Sequence, residues 1–166
     1  MYRGRRFSLV KLLVEYEGRV FEREILDHPG AAAVLPVLDD GRVVLLEQWR
    51  PGCNCWLLEA PAGTVEPGES PEETAKRELE EETGYRAKHL EHVLSFYPTP
   101  GTSREVIHLF IARGLERTRQ RLEEDEIIKV RVMSLEEAMR AVRGARIADG
   151  KTLLLLLLYK ELYRGA

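Results

Sequence analysis

The chain has 166 residues, of which 44% are hydrophobic and 32% are charged, a composition typical of one globular protein with a substantial core. Its formal net charge of −3 provides no basic footprint, which excludes a protein built to bind nucleic acid. The leucine run at 153–158 is far shorter than the roughly 20 residues that cross a bilayer, so no membrane partner is expected.

The N-terminus and the cysteines point to a cytoplasmic protein. Arg3, Arg5 and Arg6 are not followed by a long apolar stretch, so no signal peptide is expected. Cys53 and Cys55 are one residue apart, a spacing at which a disulfide is sterically poor, and two thiols alone do not form a zinc site. We interpret them as ordinary loop thiols, with an intersubunit or other disulfide as the alternative. The scarcity of Asn and Gln is typical of thermophilic proteins.

The first predicted elements are two strands at 7–15 and 19–26, joined by a turn near Glu17 and Gly18. Both strands carry apolar residues, and a two-stranded ribbon is only marginally stable by itself. The sequence therefore predicts that this hairpin packs on a partner surface. A second hairpin is predicted from strands at 31–38 and 42–49, and a short strand at 56–59 follows it.

A helix is predicted at 71–83, because signals for its start and its end are both present. Ser70 and Glu73 have the spacing of a capping box, and Pro71 occupies the first helical position, where its missing N–H costs nothing. Gly84 suits the left-handed conformation that ends many helices. A loop that contains Gly63 leads into this helix.

Three carboxylates share one face of this helix. Glu78, Glu81 and Glu82 follow the i, i+3, i+4 rule, so their like charges repel one another. One interpretation is a solvated acidic helix face. The other is a site for Mg²⁺, which prefers oxygen ligands and bridges carboxylates to substrate phosphates.

The rest of the chain predicts an α/β fold, with a mixed sheet, helices on its faces and a small N-terminal β appendage. The leucines of the last helix are expected to face a core, and the four histidines, which lack metal-ligand spacing, are interpreted as structural. The predicted elements are strands at 87–96, 105–113 and 128–133, loops at 97–101 and 114–126, and helices from Ser134 to about Arg143 and from about Lys151 to Tyr163.

The segment 63–85 resembles the complete Nudix box. Nine positions match at fixed spacing: Gly63, Glu69, Arg77, Glu78, Leu79, Glu81, Glu82, Gly84 and Tyr85. The resemblance implies an α/β/α sandwich and a hydrolase of nucleoside diphosphates linked to another moiety, using Mg²⁺ or Mn²⁺.

Further segments are similar to the ADP-ribose pyrophosphatase branch of that family. They are HPGAAAVLPV at 28–37, VVLLEQWR at 43–50, LLEAPAG at 57–63, YPTPG at 97–101 and KTLLLLLLY at 151–159. Pro100 stands where that branch carries a marker proline past the box. The resemblance implies that residues 1–26 form an appendage exchanged across a homodimer and that residues 27–166 form the hydrolase domain.

The resemblance also implies metal ligands around the helix. Glu78 and Glu82 are expected to be the first ligands, with Glu81 beside them and the backbone carbonyl of Ala62 as a further ligand. Arg77 is expected to support the catalytic residues. It would do so as a pair with Glu69 that positions the loop against the helix, although Glu69 could also reach a metal.

A general base is expected from the acidic segment 123–126, because a metal-bound carboxylate is a poor proton acceptor. Aligned on the strand that follows, Glu124 would be the base and Glu126 a metal ligand, although the two roles could be exchanged. The alternative interpretation is a solvated acidic loop.

For the substrate, the resemblance assigns Arg50, Glu59 and Pro100 to the site of one chain and Arg23 to the partner's site. Each charged residue could instead be a surface charge at a strand end. Trp49, Trp56 and Tyr97 could stack on adenine or pack in a core or interface.

The leading function implied is hydrolysis of ADP-ribose to AMP and ribose 5-phosphate. The alternatives are hydrolysis of another nucleoside diphosphate derivative, such as a nucleotide sugar, NADH or a damaged nucleotide, and a non-catalytic sensor of a nucleotide sugar. All box carboxylates are present, which argues against the sensor.

Overall fold

A computed structural model describes residues 2–4, 7–124 and 126–163, and these residues form ten strands and three helices. The strands are β1 Tyr2–Arg3, β2 Ser8–Tyr16, β3 Arg19–Asp27, β4 Ala31–Pro36, β5 Val43–Arg50, β6 Cys55–Glu59, β7 Ala62–Thr64, β8 Tyr85–Phe96, β9 Ile107–Arg117 and β10 Ile128–Met133. The helices are α1 Pro71–Thr83, α2 Leu135–Arg143 and α3 Gly150–Leu162.

The N-terminal strands form an antiparallel sheet in the order β1-β2-β3. Glu17 and Gly18 make the β2–β3 turn with positive φ angles of 49° and 70°, the conformation that matches the twist of a hairpin. This ribbon joins the rest of the chain at Leu26, which pairs with Ser103 and donates its N–H to the carbonyl of Thr102 at 2.8 Å. The predicted hairpin at 7–26 is present, and its far end projects from the body.

The remaining strands form two sheets rather than the one mixed sheet predicted. One is the mixed sheet β7-β4-β9-β8, in which β4 and β9 are parallel, and the other is antiparallel with the order β10-β5-β6. The division lies at the end of β4. Pro36 has no N–H to donate, and the N–H of Val37 bonds to the carbonyl of Ala112 in β9. The β4–β5 hairpin therefore has only the Val37–Val43 bridge among the described residues.

The two sheets lie between α1 on one side and α2 with α3 on the other. Along β4, Ala33 and Leu35 face the core shared with α2 and α3, whereas Ala32 and Val34 face the core shared with α1. This alternation is the period of two expected of a strand covered on both faces. The α/β/α sandwich predicted from the sequence is confirmed, and α1 is held rigidly against the centre of the mixed sheet.

Two predicted elements differ from the structure in their extent. β9 continues to Arg117, so part of the predicted loop at 114–126 is strand, and its residues pair with the start of β8 at Tyr85. In α3 most leucines pack on the core, but Leu157 and Leu162 are exposed. No helix among the described residues is both long enough and apolar enough to cross a membrane.

Candidate metal and substrate site

Helix α1 begins and ends at the residues predicted from the sequence. The Ser70 hydroxyl accepts from the N–H of Glu73, and the Glu73 carboxylate accepts from the N–H of Ser70. Gly84 ends the helix in the left-handed region, with φ 70°. These local interactions set where the helix begins and ends, whereas its contacts with the loop that contains β7 hold the acidic face against that loop.

Glu82 lies at the centre of this interface. Its side chain is 2% exposed and its Oε2 accepts a hydrogen bond from the N–H of Ala62 at 2.8 Å. Burial, followed by the nearby charge of Glu78, raises the pKa of Glu82 well above its usual value. The hydrogen bond from Ala62 offsets this only in part, so the carboxylate lacks a full compensating charge.

Glu78 occupies the space above Gly63. A Cβ atom at Gly63 would lie 1.7 Å from Oε1 of Glu78, so only glycine leaves room for this carboxylate. Burial raises the pKa of Glu78, although the guanidinium of Arg77 opposes the effect. The glycine at the start of the 63–85 motif therefore has a direct steric reason.

Arg77 connects the loop to the helix. Its guanidinium donates to both carboxylate oxygens of Glu69, at 2.9 and 3.1 Å, and to Oε1 of Glu78 at 2.6 Å. A weaker contact of 3.4 Å reaches Glu81. The hydrogen bonds from Arg77 lower the pKa of Glu69 to about 2, so Glu69 is an ionised partner of Arg77. The structure thus contains the Arg77–Glu69 pair expected from the sequence.

The acidic segment after β9 approaches the same cluster through Glu126. Its negative charge contributes to the raised pKa of both Glu78 and Glu82, and its Oε2 accepts from the N–H of Glu123 at 2.9 Å. Glu124 is exposed on the turn, and Asp125 lies outside the described residues. The structure therefore brings Glu126, rather than Glu124, close to the helix carboxylates.

These residues fit a divalent cation chemically. The available ligand atoms are carboxylate oxygens, from Glu78, Glu82 and Glu126. Glu78 and Glu82 carry charges of the same sign, and burial raises the pKa of both. Within the described ranges no three His, Cys, Asp or Glu side chains are grouped to hold a metal ion. One oxygen of Glu78 accepts from Arg77 and is therefore turned towards the guanidinium.

Arg50 and Glu59 form a second polar centre on the β5–β6 pair, where the Arg50 side chain at the end of β5 reaches along β6 to Glu59, the register partner of Leu46. The guanidinium donates to both oxygens of Glu59, at 2.7 and 2.8 Å, and Lys151 donates to the same carboxylate at 2.8 Å. Burial acts to raise the pKa of Glu59, but Arg50 and Lys151 together outweigh it and lower the pKa to about 2. Arg50 is also close enough to Glu82 for its positive charge to oppose, in part, the rise in the pKa of that carboxylate.

Sequence reasoning missed Lys151. It follows Asp149, the N-cap of α3, and is 92 residues from Glu59, so no local pattern pairs them.

Arg23 and Pro100 lie apart from the helix carboxylates. Arg23 is on the ribbon, where its guanidinium covers the Phe21 ring at 4.4 Å and donates to the carbonyl of Glu22. Pro100 is exposed in the turn that begins at Thr99. Among the described residues, no hydrogen bond or ion pair joins either residue to α1.

The aromatic and histidine side chains divide between several surfaces. Trp56 is half exposed beneath the ammonium of Lys129, beside a cavity of about 370 Å³. His92 and His108 both bond to the hydroxyl of Ser95, at 2.8 Å each. This hydrogen bonding is consistent with the structural role expected of these two histidines.

Comparison with known proteins places the chain in a family. The NUDIX domain family matches residues 27–156. The chain is 44% identical to the ADP-ribose pyrophosphatase of Bacillus subtilis (strain 168) over 137 residues, which cover 81% of this chain and 74% of that protein. It is 41% identical to the methanol dehydrogenase activator of Bacillus methanolicus over 139 residues, which cover 82% and 75%.

A solved structure described as an ADP compounds hydrolase has the same fold. It aligns with a TM-score of 0.83 over 99% of this chain and 90% of that chain, at 24% sequence identity. The family match includes β7, α1 and the Arg50–Glu59 pair. The acidic helix, the glycine beneath Glu78 and the match over most of the length agree, and this chain belongs to the Nudix family.

Proposed function

We propose that the protein hydrolyses the pyrophosphate bond of ADP-ribose, giving AMP and ribose 5-phosphate, with a divalent cation bound at α1. The observation that carries the proposal is the pair of carboxylates, buried Glu82 and partly buried Glu78, packed against the loop at Ala62 and Gly63. Arg77 pairs with Glu78, but among the described residues the carboxylate of Glu82 accepts only from the N–H of Ala62, and a buried carboxylate of this kind is costly unless a cation is held beside it. The likeness to an ADP-ribose pyrophosphatase supports the choice of substrate.

The cation would be held by Glu78, Glu82, Glu126 and the carbonyl of Ala62, with Mg²⁺ as the first choice and Mn²⁺ as the second. When bound, it supplies charge neutralisation for the diphosphate and lowers the pKa of a coordinated water. Two neighbouring side chains orient the proposed metal ligand Glu78. Arg77 holds Glu78 in place, and Glu69 in turn holds Arg77. Glu81 stands beside them at the exposed edge of the cluster.

The general base is assigned to Glu124. Its exposure on a turn leaves the carboxylate free to accept a proton from water when the segment closes over a substrate. Glu126 is already within the field of Glu78 and Glu82, which supports its assignment as a ligand rather than a base. The exchange of these two roles is the alternative.

The substrate would lie between α1 and the Arg50–Glu59 pair. Arg50 presents a fixed guanidinium next to Glu82, a suitable partner for a phosphate or a ribose hydroxyl. Glu59 orients Arg50. Pro100 is assigned to the substrate by the resemblance, and its loop is joined to the ribbon by the hydrogen bond from Leu26 to Thr102.

The active form is proposed to be a homodimer with exchanged ribbons. Apolar side chains are exposed on both ribbon strands, including Phe7, Leu9 and Val20, with Leu13 77% exposed. An exposed strand pair of this kind is an aggregation hazard, and packing on a second chain removes it from water. The exchange would carry Arg23 to the partner's site.

A second candidate keeps the chemistry and changes the substrate to another nucleoside diphosphate derivative, such as a nucleotide sugar or NADH. It is supported by 39% identity over 145 residues to a GDP-mannose pyrophosphatase of Cronobacter sakazakii (strain ATCC BAA-894), which cover 81% of this chain and 75% of that protein. Recognition of the second moiety is assigned to Arg50, Arg23 and the Pro100 loop, which are separate from the residues assigned to the metal.

A substrate panel in water labelled with oxygen-18 tests the proposal. ADP-ribose, NADH and two nucleotide sugars are incubated with Mg²⁺, and products are identified by mass spectrometry. The expected result is labelled AMP or labelled ribose 5-phosphate from ADP-ribose, with the highest kcat/KM of the set. Faster cleavage of another compound would transfer the assignment to that compound, and no cleavage of any compound would refute the hydrolase.

A further inference from the structure

The turn between β5 and β6 contains Cys53 and is followed directly by Cys55, the other cysteine of the chain. It spans residues 51–54, and its two ends are the cross-strand partners Arg50 and Cys55. Asn54, between the cysteines, has a positive φ of 50°, a conformation that Asn adopts more readily than most residues. This left-handed residue reverses the chain locally, so the two cysteine side chains lie on the same side of the turn.

The two sulfur atoms are 3.0 Å apart. This distance is only about 1 Å longer than a disulfide bond of about 2.05 Å, so closure needs a small rotation of the side chains. Cys53 is exposed, whereas Cys55 is half-buried. The sequence predicted a sterically poor disulfide at this spacing, whereas the structure, with the positive φ of Asn54 between the cysteines, places the two sulfur atoms close together.

We propose that Cys53 and Cys55 are a site of reversible oxidation, which forms an intramolecular disulfide by exchange with a low-molecular-weight disulfide. In the first step the Cys53 thiolate attacks one sulfur of the reagent, forming a mixed disulfide and releasing one thiolate. In the second step the Cys55 thiolate attacks the Cys53 sulfur and releases the other thiolate. Two protein thiols are oxidised and one external disulfide is reduced to two thiols, so atoms and electrons balance.

The surroundings assign the order of these steps. Cys53 is open to solvent, and its S–H is within 3.6 Å of the carbonyl of Arg50. The hydrogen bond with Cys53 and partial burial raise the pKa of the Cys55 thiol, which makes it the slower of the two to attack an external reagent. Once Cys53 carries the mixed disulfide, Cys55 is already in place beside it.

The disulfide would close a small ring at the end of β5. Arg50, at the base of this ring, holds both oxygens of Glu59, so the ring adjoins the proposed substrate side of the fold. The oxidation itself does not depend on the proposed function, because it involves only the turn and an external disulfide.

Intact-mass measurement tests the proposal on the full-length protein. The reduced protein is incubated with oxidised glutathione, quenched with acid, and analysed by mass spectrometry and non-reducing electrophoresis. The expected product is a monomeric chain that has lost two hydrogen atoms, with a peptide linking positions 53 and 55 and with recovery by dithiothreitol. Stable glutathione adducts, disulfide-linked dimers or unreacted thiols in the wild-type protein would each overturn the proposal.

Two single variants separate the steps. Cys55→Ser retains the exposed thiol and lacks the resolving one, so it is expected to accumulate the glutathione adduct at Cys53. Cys53→Ser is expected to form its adduct more slowly, because Cys55 is less accessible. Equal adduct rates for the two variants would contradict the assigned order, and thermal unfolding of each reduced variant checks that the fold is retained.

Discussion

The N–H of Ala62 donates to the carboxylate of Glu82 across the interface between β7 and α1, at 2.8 Å. This bond joins the third carboxylate of the helix face to the loop whose carbonyl we assign to the metal. The loop at β7 and helix α1 therefore position each other. The site depends on the packing of these two elements and not on the loop alone.

The substitution Glu82→Gln should reduce kcat by about 10²–10³, a typical effect of removing an electrostatic group from a catalytic site. The amide oxygen can still accept from Ala62, and removal of a buried charge relieves repulsion with Glu78, so stability should be unchanged or higher. Turnover at saturating Mg²⁺ and thermal unfolding are measured together. Glu80→Gln, on the face that pairs with Arg86, is the matched control and should retain activity. Near-wild-type turnover in Glu82→Gln would refute its role.

Gly63→Ala should displace Glu78, because the added Cβ would lie 1.7 Å from its carboxylate. We expect a destabilisation of about 1–3 kcal/mol, the usual effect of overpacking, together with weaker metal activation. Gly150→Ala is the control, since its Cβ meets nothing within 4 Å. Urea unfolding and Mg²⁺ titration are the measurements. An unchanged metal response in Gly63→Ala would show that Glu78 does not need its present position.

The acidic segment is tested by two substitutions that differ by two positions. Glu124→Gln should lower kcat by about 10²–10⁴, as expected of a general base, and leave the Mg²⁺ titration almost unchanged. Glu126→Gln should weaken metal activation, because its charge acts on Glu78 and Glu82. The reverse pattern of metal titrations would mean that the two roles are exchanged.

Stability should depend on pH through Glu59. Its pKa is about 2 in the folded chain against a reference value of 4.5, so its ionised form favours folding. This contribution, about 3 kcal/mol, is present above pH 4.5 and is lost as the pH falls towards 2. Urea midpoints are compared between the wild type and Glu59→Gln across that range. A parallel fall in both proteins would show that other groups cause the acid sensitivity.

The exchanged dimer is tested by complementation. Arg23→Ala and Glu82→Gln chains are each expected to be impaired, with KM raised about 10- to 100-fold in the first by loss of a charged contact. If Arg23 acts on the partner's site, a mixed dimer contains one site with both native residues, and mixing after subunit exchange should restore activity. Failure to restore activity in dimers shown to be mixed would place Arg23 in its own chain's site or outside the site.

Deletion of residues 1–26 addresses the same surface. Sedimentation should show loss of the dimer, and kinetics should show loss of substrate affinity. A soluble monomer with an unchanged KM would mean that the site is complete within one chain.

The sequence was most informative where structure is set by neighbours in the chain. Helix α1 is bounded as predicted because Ser70, Pro71 and Gly84 act locally. The strand at 114–117 was missed because its charged residues resemble a loop and are explained only by pairing with β8, where Lys88 meets Glu116 at 2.8 Å. Lys151 was missed because its partner is distant in sequence.

The division into two sheets and the close approach of the cysteines depend on single backbone details. One is the carbonyl of Ala112 that accepts from Val37, and the other is the positive φ of Asn54. Residue patterns do not specify either detail, because hydrophobic periodicity reports burial and says little about which strand receives a given N–H.

The attachment of the ribbon has a mechanical consequence. The backbone of Leu26 is hydrogen-bonded on both sides to the segment 102–104, which immediately follows the turn with Pro100. If the ribbon packs on a second chain, these bonds connect that contact directly to the loop that we propose for substrate binding. Ribbon residues that do not contact the nucleotide could then influence its binding affinity. The reason is that the association of two chains and the conformation of this loop are coupled through one short length of backbone.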